Sequence, residues 1–199
     1  MKLMQKFQKI GSHFVWDYGQ PWSPQVEPAF LPARVALGRC NDDLLVRADL
    51  HDAHVMTDVF PFNFPAFMQC DAFEIFLGPV DEKAYYEFHV TPSNSVLQLY
   101  FEGTDAKKIL EERMVAKPLF TSQTALTPEG WSVFATIPLK GLFPGLHPEW
   151  CLSFGRYDYT PGQPKPVISS TSPHAVCNFH RKEEWRRVAL ADLPAIAPE

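Results

Sequence analysis

Residues 71–90, DAFEIFLGPVDEKAYYEFHV, constrain the fold more than any other stretch. Two runs of two-residue alternation flank a turn that begins at Gly-Pro, the pattern of paired β-strands rather than of a helix. One row carries Phe73, Ile75, Leu77, Tyr86, Phe88 and Val90, and the opposite row carries Glu74, Phe76, Tyr85, Glu87 and His89. Successive side chains of a strand point to opposite faces, so the first row can face a core. The second is either a solvated face or the floor of a site.

Similar strand signals recur at 34–37, 43–50, 95–102, 131–137, 151–157 and 185–189, separated by turn formers such as Gly38, Asn41 and Asp42. With 19 prolines in 199 residues, long helices have little room. Helical spacing holds only near 104–113, where Thr104 can cap, Asp105 favours the N-terminal dipole, and Ala106, Ile109, Leu110 and Arg113 share a face. The expected architecture is all-β: a two-sheet antiparallel β-sandwich with jelly-roll or immunoglobulin-like layering and that one short helix. It forms a single domain over 1–199. Residues 1–34 read as a segment that wraps a sheet and pins itself with Trp16, Tyr18, Trp22 and Phe30, and 192–199 as a frayed tail. The connection 51–70 carries Phe60, Phe62, Phe64 and Phe67 between Pro61 and Pro65. So apolar a loop either packs down over the sandwich edge or rims a cleft.

A net charge of −5 argues against a nucleic-acid partner. The basic cluster His180-Arg181-Lys182 with Arg186-Arg187 is broken by Glu183 and Glu184 and reads as solvated surface. No apolar run reaches 18 residues, so no membrane partner is expected. Cys40, Cys70, Cys151 and Cys177 form no CxxC pair, and the N-terminus lacks an apolar signal core. Buried, reduced thiols in a cytoplasmic protein follow; a trimmed N-terminus would make the protein extracytoplasmic.

The familiar catalytic strings (GxSxG, HExxH, a P-loop, GxGxxG) are absent. Asp71, Glu74 and Glu87 supply carboxylates that a glycosidase could pair, although carboxylates on a solvated sheet face are common. Arg156, in CLSFGRYDY, alternates with Leu152 and Phe154 and so falls on an apolar row. A buried arginine needs a carboxylate or a ligand oxygen. Glu74 is the natural partner, which leaves two readings: a buried pair, or an Arg–Glu pair that meets a ligand. Tyr157 and Tyr159 add rings with hydroxyls suited to sugar faces, and Trp22 is a further candidate ring. His174 and His180 flank Cys177, a spacing that reads either as a metal cluster or as coincidence.

Taken in order, NDDLLVRADLHD, DAFEIFL, YYEFHVTPSNSV, WSVFATIPLKGL, WCLSFGRYDYT, ISSTSPH and FHRKEEWRRVAL resemble the family-nine carbohydrate-binding modules and their relatives among DOMON-like β-sandwich domains. The resemblance runs from about Ala36 to Leu190. It implies two antiparallel sheets with one concave face for a ligand: a sugar in the carbohydrate-binding modules, haem in related DOMON members, with structural calcium in some. By resemblance, Glu74 falls on the acidic position of the D-x-x-E-x-F-L strand and Arg156 on a late-strand arginine. Tyr86 and Pro92 match the Y-Y-E-F and N-P positions, with Thr91 in place of asparagine. Trp131 and Pro138 match a structural strand. Phe134 stands where relatives often carry glutamate, removing a polar group from the expected site. No pair of sugar-clasping tryptophans can be placed: Trp16, Trp22 and Trp150 read as loop residues, Trp131 and Trp185 as packing.

The leading functional expectation is a non-catalytic, lectin-like protein that binds a carbohydrate or glycoconjugate through Glu74, Glu87, His89, Arg156, Tyr157, Tyr159 and Trp22, with no cofactor required and calcium among those the resemblance admits. Three alternatives stand beside it. A haem or cofactor binder would draw axial ligands from His89, His174, His180, Met56 or Met68. An enzyme on a sugar derivative would use Glu74 and Glu87. An interaction domain would offer its sheet face to a protein partner.

Overall fold

A computed structural model of the protein describes residues 14–103 and 107–197. Eleven strands appear among them: β1 (Val15–Asp17), β2 (Ala33–Cys40), β3 (Asp43–His51), β4 (Ala72–Pro79), β5 (Tyr85–Val90), β6 (Val96–Phe101), β7 (Thr121–Thr127), β8 (Gly130–Pro138), β9 (Glu149–Asp158), β10 (Val167–Ser170) and β11 (Arg186–Ala189). They form two antiparallel sheets. The first has the order β1-β2-β3-β8-β7; the second has the order β10-β9-β4-β5-β6, with β11 also pairing β9.

The alternation in 71–90 places the core. Phe73, Ile75 and Leu77 of β4 and Phe88 and Val90 of β5 meet Val35, Leu37, Val46, Ala48, Val133 and Ala135 of the first sheet. Trp131 and Trp150 are buried in the same cluster. Two smaller clusters lie on the outer faces. Cys40, Leu45, Phe134 and Ile196 close one side of the first sheet. Phe76, Tyr85, Cys151, Phe179 and Trp185 cover the far side of the second. DLLVRADL is buried on its core face and only partly covered on the other, where Leu45 is buried and Asp43, Arg47 and Asp49 are partly exposed.

Four expectations change. Thr104 to Ala106 lie outside the described residues, and the rest of the expected helix is irregular chain ending in one 3-10 turn, Glu111–Arg113. A 10-residue pattern is marginal as an isolated helix, and here Arg113 turns inward over the Phe101 ring, its guanidinium carbon 4.4 Å from the centroid. The wrapping segment contains β1, whose Trp16 is buried on Phe154, so Trp16 is a strand residue; Trp150 likewise lies in β9. The tail is tied down as far as it is described: Arg39 N–H donates to the Pro194 carbonyl, Ile196 N–H donates to that of Arg39, and Leu193 and Ile196 are buried. Finally, Phe134 stands on the outer face of the first sheet under Arg47. It removes nothing from a site on the second.

Candidate functional site

The second row of residues 71–90 is not a solvated face. Register sets Glu74 beside His89 and Phe76 beside Glu87 across β4–β5, and Glu87 beside Leu99 across β5–β6. All point away from the core, yet Glu74, Glu87 and His89 are 1%, 4% and 3% exposed. Two connections cover them. The Phe-rich loop 52–71 lays Phe67 against His89 (4.9 Å between centroids) and Tyr157 (5.6 Å). The segment after β10 brings Phe179 against Phe76 and Tyr157, and His180 onto Tyr85, whose hydroxyl bonds His180 Nδ1 at 2.9 Å.

Between these covers and the sheet lies a pocket of about 290 Å³. Glu74, Glu87 and Tyr157 line it with Phe67, Phe101 and Phe179. Asn178 and His180 line it as well. A larger groove of about 680 Å³ adjoins it through Phe101 and His180. Its Lys182 ammonium already donates to the carbonyls of Pro79, Glu82 and Ala84, so that lysine is a turn anchor and not the solvated charge its basic run implies. Glu74 and Glu87 line the smaller pocket and not the larger groove.

Electrostatics at the pocket floor centre on His89. Its Nε2 bonds Glu87, and its Nδ1 stands 3.3 Å from Glu74 Oε1. Burial raises the Glu74 carboxyl to about 8 against the pull of His89. Burial pushes Glu87 up as well, but the His89 charge and hydrogen bond outweigh it and hold that carboxyl below its ordinary value. Burial alone would depress His89; the two carboxylates reverse that and raise it.

Arg156 is elsewhere. Register pairs it with Phe73 and leaves Glu74 opposite Gly155, so the two lie on opposite faces of the same sheet. The expected Arg156–Glu74 pair does not form. Arg156 instead meets Asp158 at 2.8 Å and Asp52 at 3.8 Å, and donates to the carbonyls of Leu31 (3.1 Å) and His51. Asp52, Asp71 and Asp158 bring oxygens within 4.8 Å of one another, the donor type calcium takes. The fit is poor, because the Arg156 guanidinium supplies the countercharge and Asp71 already accepts two backbone N–H bonds, from Met56 and Tyr159. Burial raises Asp71 to about 8, with the Asp52 charge adding to it; burial raises Asp158 to about 6 against the pull of Arg156.

Of the other expected site residues, Tyr159 stands behind the wall, its hydroxyl donating to the Phe67 carbonyl at 3.0 Å. Trp22 packs on the outside of Phe179 at 6.0 Å. His174 Nδ1 pairs with Glu184 at 3.0 Å, and among the described residues His174, Cys177 and His180 make no metal-ligand group. Met56, Met68 and His174 do not line the pocket, so the haem ligand set does not converge there. Cys40, Cys70 and Cys151 are buried free thiols, but Cys177 is exposed, which corrects the expectation for that one.

No family model matches the sequence, and neither does any curated protein. Solved structures do. A protein of Bacteroides uniformis named for a presumed carbohydrate-binding role superposes with a TM-score of 0.66 at 15% identity, covering 88% of this chain and 84% of its own. A family-nine carbohydrate-binding module of Caldicellulosiruptor kristjanssonii, solved with cellotriose, gives 0.57 at 18% identity, covering 87% and 80%. With glucose the corresponding structure gives 0.57 at 19% identity, covering 81% and 78%. The chain has the fold of the family-nine carbohydrate-binding modules.

Proposed function

We propose that the protein binds a carbohydrate, free or as a glycoconjugate terminus, in the Glu74 pocket without transforming it. The observation that carries this reading is the pocket itself, where buried carboxyls at the floor face Phe67, Phe101, Tyr157 and Phe179. Aromatic walls suit the C–H faces of a sugar ring, and carboxyl oxygens suit its hydroxyls. At about 290 Å³ the space is at the small end of ligand sites, which favours one terminal ring over the middle of a chain. The sugars bound by the family-nine neighbours support the same class of ligand. An acid–base pair on a glycoside finds less support, since Glu74 and Glu87 both turn to one imidazole rather than flanking an open space.

Calorimetric titration against a panel of mono- and oligosaccharides tests the proposal. At least one sugar should bind, and Tyr157→Ala should weaken it about 5–10-fold, the loss of one stacking contact of roughly 1–1.4 kcal/mol. A panel without binding at millimolar sugar would refute it.

A further inference from the structure

Hydrogen bonding at the pocket floor does not close. His89 Nε2 is bonded to Glu87, but Nδ1 has no hydrogen bond, and neither do Glu74 Oε2 and Glu87 Oε2. All three side chains are more than nine-tenths buried. A buried polar atom without a partner costs about 1–3 kcal/mol, and more when charged. His89 Nδ1 and Glu74 stand side by side, and one group between them would satisfy both. In the Asp52–Asp71–Asp158 cluster Asp52 Oδ2 also lacks a hydrogen bond, but there the Arg156 guanidinium supplies the countercharge an ion would bring.

The spacing identifies the missing group. Bonds from zinc to imidazole nitrogen and carboxylate oxygen are about 2.0–2.2 Å, so neighbouring ligand atoms on a tetrahedral ion stand roughly 3.3–3.6 Å apart. His89 Nδ1 and Glu74 Oε1 are 3.3 Å apart with no hydrogen bond from that nitrogen. One donor atom from each of Glu74, Glu87 and His89 lies within 4.8 Å of the others. Glu87 also receives the far ring nitrogen of His89, the carboxylate–histidine relay that orients metal-bound imidazoles. Held on the far ring nitrogen, Glu87 orients the imidazole and is not itself a ligand of an ion on Nδ1. A nitrogen among the donors disfavours calcium and magnesium, which take oxygen.

We propose that Glu74 and His89 hold a divalent transition-metal ion of the zinc class, with Glu87 fixing the imidazole from its far side and two open coordination positions facing the pocket. The proposal does not depend on what else the pocket binds. Two oxygens of a hydroxylated ligand could complete the coordination sphere from the Tyr157 side.

The test uses the purified full chain, stripped with chelator and titrated with Co²⁺ followed by visible absorbance, then with Zn²⁺ in competition. One equivalent per chain should bind, and Zn²⁺ should raise the melting temperature. Glu74→Gln and His89→Gln should each abolish uptake, and Glu87→Gln should weaken it about 10–100-fold. Cys177→Ser, which changes an exposed thiol on the pocket rim, should bind as the parent does. Failure of the parent chain to take up either ion overturns the proposal. So does uptake that survives both Glu74→Gln and His89→Gln, or that is lost in Cys177→Ser. The parent titration and the Cys177 variant decide the matter even if a floor variant fails to fold.

Discussion

Replacing Arg156 with methionine tests whether this arginine belongs to the sandwich interior or to the ligand. The side chain is 1% exposed, and its guanidinium meets Asp158 at 2.8 Å and Asp52 at 3.8 Å while donating to two backbone carbonyls. Methionine fills much of the volume but leaves those acids buried without a countercharge. Breaking one partner out of a buried ion pair costs about 3–5 kcal/mol. In a domain of this size each kcal/mol lowers the melting temperature by about 2–4 °C, so the expected drop is roughly 6–20 °C.

The loss should also depend on pH, with a definite sign. Burial already raises Asp71 to about 8 and Asp158 to about 6. Without Arg156, Asp158, which loses the guanidinium's pull directly, rises further. A carboxyl with a raised folded pKa takes up a proton on folding. Its favourable contribution is complete below the unfolded value of about 4 and is lost as pH climbs through the folded value. Arg156→Met should therefore cost less near pH 5 than near pH 8. Urea unfolding followed by tryptophan fluorescence at both pH values measures this. A loss below about 1 kcal/mol, or one equal at both pH values, refutes the placement. Sugar affinity should hardly change, because Arg156 lies on the opposite face from the pocket.

Gly155→Ala probes the floor from beneath. A Cβ there would stand 2.6 Å from Glu74 Oε2 and 2.8 Å from the Phe179 ring. We expect a stability loss of about 1–3 kcal/mol and weaker sugar and metal binding together, and unchanged affinities by calorimetry would contradict the geometry. Thiol counting tests the burial of the cysteines: the native chain should be alkylated at Cys177 alone, with Cys40, Cys70 and Cys151 reacting only after denaturation, and labelling of any buried cysteine in the native state by mass spectrometry would count against the packing.

Much of this was legible from alternation. Period two along 71–90 assigned Phe73, Ile75, Leu77, Phe88 and Val90 to the core and grouped Glu74, Glu87 and His89 on the other face, and the register bears out both rows. Strands without strong alternation, such as β7 (TSQTALT) and β10 (VISS), gave no such signal. A 3.6-residue spacing near 104–113 suggested a helix that does not form over its described residues, since a single short amphipathic run lacks the packing to sustain one. Phe67 and Phe179 could be suspected of burial from their composition, but not placed.

What the sequence determines by itself is therefore the sandwich and which side of each strand is apolar, because backbone pleating makes that a local property. Tertiary structure alone decides the rest. It sets Arg156 and Glu74 on opposite faces through a one-residue difference in register. It turns a polar sheet face into an enclosed floor by folding two distant loops across it. The burial that perturbs Glu74 and His89 comes from residues far away in the chain, and no local pattern encodes it.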